Sequence, residues 1–152
     1  MRIVSVLENQ TNEKRISITP EIAKKYIALG FEVTLSENYG IHLGIKDKQF
    51  TDLGVNILKD ENEVINNAHI IIQLGLMSDE KSSQIKSNQT LIGVFNPYNN
   101  KEKIDKLKKK NINIFSLELL PRITRAQSMD ILSSQANLAG YKAVVDLSLI
   151  HI

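Results

Sequence analysis

The segment Pro121-Arg122-Ile123-Thr124-Arg125-Ala126-Gln127-Ser128-Met129-Asp130 gathers an unusual mixture of hydrogen-bonding groups. Arginine offers a fixed fork of donors, aspartate offers acceptors only, and glutamine and serine offer both. A neutral carboxamide presents an NH2 and a carbonyl side by side, so its recognition needs that mixture. Asp130 can accept from the NH2, while Arg122 and Ser133 can donate to the oxygen. Thr124 and Gln127 also stand in the S/T-x-x-Q spacing of a capping box, which predicts a helix starting here and running to about Asp146. Chemistry alone leaves two readings open: a site for a nicotinamide-type head group, or a helix cap with a polar face beside it.

A second cluster comprises Glu8 and Glu13-Lys14-Arg15, between the first apolar run and a helix start at Thr19-Pro20. In a parallel α/β sheet this is the carboxyl edge, where ligands dock. Arg15 there is a candidate for holding a carboxylate or backbone carbonyl through its fork, or is simply a solvated loop arginine. The seven glycines are Gly30, Gly40, Gly44, Gly54, Gly75, Gly93 and Gly140, and no two stand two apart. The G-x-G-x-x-G turn that cradles a dinucleotide pyrophosphate is therefore absent from these residues. Gly40-Ile41-His42-Leu43-Gly44 reads as a flexible loop, since a phosphate role needs a strand before it and a helix directly after.

These groups must be positioned by the alternation of short apolar and amphipathic runs between Arg2 and Leu117, the pattern of βα units. Strands are expected at Ile3–Leu7, Glu32–Leu35, His69–Leu74, Thr90–Phe95 and Asn113–Leu117, with a weaker one at Val55–Leu58. Thr19 caps a helix with Pro20 at its first position, and Gly30 supplies the left-handed residue that stops it. Asp60, Ser78 and Asn99 or Asn100 mark three further helix starts. The lysine run 106–110 closes the last of these, as a solvated end that complements the helix dipole. In the long helix expected after Thr124, Ala126, Met129, Leu132, Ala136, Ala139 and Ala143 recur at three- and four-residue steps as one small apolar stripe.

With 152 residues, 42% hydrophobic and 24% charged, the chain has the balance of one globular domain plus a tail. A net charge of +2 is too small for a nucleic-acid footprint, and nucleic acid is not expected as a partner. The absence of cysteine removes disulfides and thiolate metal sites, and no metal is expected. No apolar run approaches the roughly 18 residues of a membrane span, and no secretion signal is expected.

The stretch from Leu120 to Val144, containing Pro121-Arg122-Ile123-Thr124-Arg125-Ala126-Gln127-Ser128-Met129-Asp130 and Gln135-Ala136-Asn137-Leu138-Ala139-Gly140-Tyr141, closely resembles the alpha subunits of proton-translocating NAD(P) transhydrogenases. The opening Met1-Arg2-Ile3, with Asn12-Glu13-Lys14-Arg15-Ile16-Ser17-Ile18-Thr19-Pro20, is similar to the start shared by these enzymes and alanine dehydrogenases. The resemblance covers residues 1 to about 146. It implies a Rossmann-like (flavodoxin-like) α/β domain with helices on both faces of a parallel sheet over residues 1–120. The nicotinamide-contacting loop and the start of a long interdomain helix then occupy residues 121–146, and the NAD-binding domain is absent. It further implies an oxidoreductase parent that passes hydride directly from NADH to NADP, coupled to proton translocation. Arg122, Gln127, Asp130 and Ser133 would contact the nicotinamide. The partner would be the beta subunit or NADP-binding component, with alpha as a homodimer peripheral to the cytoplasmic face of the inner membrane.

Alanine dehydrogenase is the rival within the family. The resemblance places its catalytic lysine near Gly75 and its histidine near Asn96 or Pro97, so neither side chain is present here. A non-catalytic, single-domain binding module is the rival from another class. The terminal Leu147-Ser148-Leu149-Ile150-His151-Ile152 departs from the family and resembles a translated sequencing-library adapter, so a non-native tail is expected there.

Overall fold

A computed structural model describes residues 1–150, with side chains through residue 149; His151 and Ile152, and with them the end of the expected tail, lie outside the described residues. The chain divides into two compact units, Met1–Ser116 and a second beginning at Leu117.

The first unit is a six-stranded parallel sheet in the order β3-β2-β1-β4-β5-β6. Its strands are β1 (Arg2–Ser5), β2 (Glu32–Ser36), β3 (Asn56–Leu58), β4 (Ile70–Gln73), β5 (Thr90–Gly93) and β6 (Asn113–Ser116). All six expected strands are present: β3 to β6 are shorter than expected, β1 starts one residue earlier and ends at Ser5, and β2 runs one residue further, to Ser36. The helices are α1 (Pro20–Ala28), α2 (Asp47–Thr51), α3 (Glu61–Asn66), α4 (Asp79–Ser83) and α5 (Lys101–Lys109).

Alternation along the strands builds a core on each face of the sheet. Ile3, Val33 and Leu35 point to one side, where Ala23, Tyr39, Phe50 and Val55 meet them. Val4, Val6, Ile71 and Leu91 point to the other, where Val64, Ile65, Phe95 and Leu107 meet them. The result is the Rossmann-like α/β architecture with helices on both faces.

Local chemistry sets the helix ends. Thr19 accepts from the Ile22 N–H with Pro20 at the first helical position, Asp60 accepts from the Asn62 N–H, and Ser78 accepts from the Lys81 N–H. Gly30 adopts φ +85°, the left-handed conformation that ends α1. Asn100 precedes α5 but donates its amide to the Phe95 carbonyl instead of capping the helix. Gly93 is fixed sterically: a β-carbon there would stand 2.0 Å from the Gln73 carbonyl oxygen and 2.6 Å from the Phe95 ring.

The second unit holds two short 3-10 turns, Leu117–Leu119 and Thr124–Met129, and a long helix α6 (Ile131–Ile150). The capping box does not form. Thr124 lies inside the 3-10 turn, and the residue before the turn, Ile123, makes no side-chain cap. Asp130 is extended (φ −74°, ψ 95°) and interrupts the expected continuous helix. Its Oδ1 accepts from the Leu132 N–H (3.0 Å) and the Ser133 N–H (3.2 Å), so Asp130 caps α6. An aspartate two and three residues before these unsatisfied N–H groups competes better for them than a threonine further upstream. The apolar stripe is therefore broken between Met129 and Leu132, and α6 runs past Asp146 through Ile150.

Candidate functional site

In a sheet of order 3-2-1-4-5-6 the winding direction reverses between β1 and β4, and the crevice beyond their carboxyl ends is the expected ligand position. An open crevice of about 1070 Å³ lies there, lined among others by Glu8, Arg15, Gly75, Lys81 and Asn96.

Behind Leu7 and Gln73, which line it, lies a buried polar network past the ends of the strands. The β1–β4 pairing ends at Val4↔Ile71. Beyond it, the Val6 N–H donates to Gln73 Oε1 (3.1 Å) and the Leu7 N–H to Ser36 Oγ (3.0 Å). Ser5 Oγ donates to Gln73 Oε1 (2.7 Å) and lies 2.8 Å from the Tyr39 hydroxyl. That hydroxyl also accepts the Ser17 and Ile18 N–H groups at 3.1 and 3.2 Å. Tyr39 thereby ties the loop carrying Arg15 to the sheet. Burial pushes its phenol above the usual range. Sequence reasoning passed over this network. Its signal was a polar residue at or next to the carboxyl end of otherwise apolar strands: Ser5, Ser36 and Gln73.

Around the crevice the charges are paired with one another. Arg15 is clamped by Glu13, its Nε donating to Oε1 (2.8 Å) and a terminal nitrogen to Oε2 (2.6 Å). This bond holds the Glu13 carboxyl below the usual carboxylate range. Lys81 pairs with Glu61 at 2.7 Å and Lys103 with Asp79 at 3.2 Å. Glu8 is 9% exposed, and desolvation raises its carboxyl above the usual range against the opposing backbone N–H groups of Leu74 and Gly75. Gly75 and Asn96 line this crevice; the resemblance to alanine dehydrogenase puts its lysine near Gly75 and its histidine near Asn96 or Pro97. Asn96 adopts a left-handed φ of 46°.

The second unit has a separate depression of about 370 Å³ lined by Arg122, Gln127, Asp130 and Ser133, together with Pro121, Ile123, Thr124 and Ala126. All four residues singled out for the carboxamide thus converge on one concavity, whereas Arg15 belongs to the crevice of the first unit. The interruption at Asp130 turns the chain from the 3-10 turn into α6 and gathers residues from both. Ser133 Oγ donates to Asp130 Oδ2 at 2.6 Å. That bond is the first cause holding the Asp130 carboxyl below its usual range, with Arg122 adding a smaller charge effect. The serine proton is therefore spent on Asp130, which leaves the Arg122 and Gln127 side chains as the donors lining the depression. Among the described residues neither the Arg122 guanidinium nor the Gln127 carboxamide has a hydrogen-bond partner.

The Gly40–Gly44 loop forms a 3-10 turn, Ile41–Leu43, with Gly44 left-handed at φ 77°. A β-carbon on Gly40 would stand 3.0 Å from that of Ile45, so close packing accounts for this glycine. Among the described residues no three His, Asp or Glu side chains converge in a way that would hold a metal ion, and no helix is long and apolar enough to cross a membrane.

The profile of the family described as "Alanine dehydrogenase/PNT, N-terminal domain" matches residues 5–139. Among curated proteins, one from Rickettsia prowazekii (strain Madrid E), named as the first part of NAD(P) transhydrogenase subunit alpha, is 40% identical over 152 residues, covering 97% of this chain and 40% of that protein. The protein of the same name from Rhodospirillum rubrum is 36% identical over 151 residues, covering 96% of this chain and 39% of its own length. The crystal structure of transhydrogenase from Sinorhizobium meliloti superposes with a TM-score of 0.87 at 37% identity, covering 95% of this chain and 43% of that one. The chain spans about two fifths of the length of these two curated relatives.

Proposed function

The chain belongs to the alanine dehydrogenase/PNT family through its N-terminal domain, and we propose that it is the front portion of the NAD(H)-binding alpha subunit of a proton-translocating NAD(P) transhydrogenase. In this reading residues 1–120 form the supporting domain, residues 121–146 the nicotinamide-contacting loop and the start of an interdomain helix, and the rest of the nucleotide site lies in a further domain. The parent transfers hydride directly from NADH to NADP held by the beta subunit or an equivalent component, and the transfer drives proton movement. The alpha component acts as a homodimer on the cytoplasmic face of the inner membrane.

The observation that carries the reading is the convergence of Arg122, Gln127, Asp130 and Ser133 on one depression, with no hydrogen-bond partner for the Arg122 or Gln127 side chain among the described residues. Asp130 carries an accepting charge for the amide NH2, and its bond from Ser133 fixes where that charge points. Arg122 faces the amide oxygen. Gln127, exposed on the 3-10 turn, orients the two nicotinamide rings against one another. Nicotinamide supplies the hydride chemistry, and these residues supply position. No protein nucleophile is required. The portion from Met1 to Ile152 is inactive alone, because a few carboxamide contacts do not replace those to the pyrophosphate and adenosine. Gly75, and Asn96 or Pro97 at the histidine position, favour this reading over an alanine dehydrogenase-like oxidoreductase, because none of them can act as acid or base.

The test is Gln127→Asn in the complete parent enzyme. Shortening by one methylene keeps the amide but withdraws its tip by about one bond length, enough to lose a hydrogen bond. NADH affinity is expected to stay near wild type. Single-turnover hydride transfer to NADP is expected to fall on the order of a hundredfold, the cost of misplacing reacting groups by about 1 Å. Lost affinity with an intact transfer rate would remove the orienting role.

A further inference from the structure

Just past the carboxyl ends of β1 and β4, four backbone N–H groups are taken by side chains or loop carboxylates instead of strand carbonyls. Val6 and Leu7 are taken by neutral acceptors, Gln73 Oε1 and Ser36 Oγ. Leu74 and Gly75 are taken by a charge, the Glu8 carboxylate. Glu8 Oε1 accepts from the Leu74 N–H, the neighbouring Gly75 N–H helps to stabilise the carboxylate form, and Oε2 lies 3.6 Å from where a β-carbon on Gly75 would stand. A pair of adjacent N–H groups at the carboxyl edge of a parallel sheet, at its switch point, is the arrangement that holds anionic ligands in open α/β folds. The nearest guanidinium fork is likewise filled from within the chain, Arg15 by Glu13.

We propose that Glu8 is a built-in occupant of an anion site formed by the Leu74 and Gly75 N–H groups, and that vacating it exposes a site for a small monocarboxylate. The wild-type crevice, though large, is closed to such ligands because its anion-binding groups are already satisfied. A free carboxylate must displace a tethered one, and the tether gives Glu8 a high effective concentration at that position. Burial of Glu8 to 9% exposure fits an interior ligand better than a solvated surface acid.

The experiment uses the 152-residue chain and acetate, which supplies the atoms that Glu8→Ala removes. In Glu8→Ala the Leu74 and Gly75 amide resonances are expected to shift saturably with acetate, with Kd on the order of 10 mM. Chloride at equal ionic strength should leave them in place. Acetate at about ten times that Kd should raise the variant's folding equilibrium constant roughly tenfold, and the wild type's not at all. Glu8→Gln retains a tethered neutral acceptor and should ignore acetate. Unmoved amides in a folded Glu8→Ala would overturn the proposal. If Glu8→Ala does not fold, the wild type decides: saturable acetate shifts at these two amides overturn the occupied-site reading, and silence there against shifts in a folded Glu8→Ser supports it.

Discussion

In the unit Met1–Ser116 the buried polar side chains recruit partners distant in sequence. Gln89, 5% exposed, donates to the Ile65 and Ala68 carbonyls at 2.8 Å and accepts the Lys86 N–H at 2.8 Å, closing the end of α3. Tyr39 gathers Ser5, Ser17 and Ile18 about one hydroxyl. In the unit that begins at Leu117, Ala126 is the one buried residue among those described, and the bonds of Asp130, Ser133, Ser134 and Lys142 reach no further than a helical turn. The first unit is a scaffold that satisfies its buried polar groups from within, apart from Asp47 Oδ1, and the second displays unspent donors. Burial makes an unpartnered polar group costly, so a packed region must satisfy its donors itself, while an exposed loop can keep them for a ligand.

The sharpest way to break this contrast is Gly93→Ala. The added methyl meets a backbone carbonyl in a paired strand and the Phe95 ring, neither of which can yield easily. A loss of about 3 kcal/mol is expected, at the upper end for overpacking, read as a lowered denaturation midpoint. Near-wild-type stability would mean that the β4–β5 pairing is looser than described.

Tyr39→Phe comes next. Removing the hydroxyl leaves the Ser17 and Ile18 N–H groups short of an acceptor in a buried place, at a cost of about 2 kcal/mol. Amide exchange should quicken at Ser17 and Ile18 before it does in β5.

Glu8→Gln sharpens the comparison through pH. The folded Glu8 pKa is raised, so the carboxyl form favours folding, and that contribution is lost as pH rises through the folded pKa. The glutamine variant should therefore exceed wild type in stability at neutral pH, and the two should converge as pH falls below the ordinary carboxylate range. Chemical denaturation across that range measures it.

The smallest global effect is expected from Asp130→Ala. Losing the cap should reduce the helical circular-dichroism signal of α6 while leaving the cooperative unfolding of the first unit unchanged. A fall in that unit's midpoint would show that the two units are not independent in stability.

The sheet, its strand sequence and the ends of α1, α3 and α4 were legible in the sequence. Apolar alternation, Thr19-Pro20, Asp60, Ser78 and Gly30 act on near neighbours, through periodicity and local capping that the chain carries with it. The convergence of Arg122, Gln127, Asp130 and Ser133 was also legible, because these residues lie close together in sequence, although the route was misread. Two caps compete for one stretch, and only the folded backbone decides for Asp130 over Thr124. What tertiary structure alone decided is the crevice. Glu8 meets Leu74 across 66 positions and Ser5 meets Gln73 across 68. Such partners are chosen by strand order and by where the ladder ends, and no local pattern encodes either.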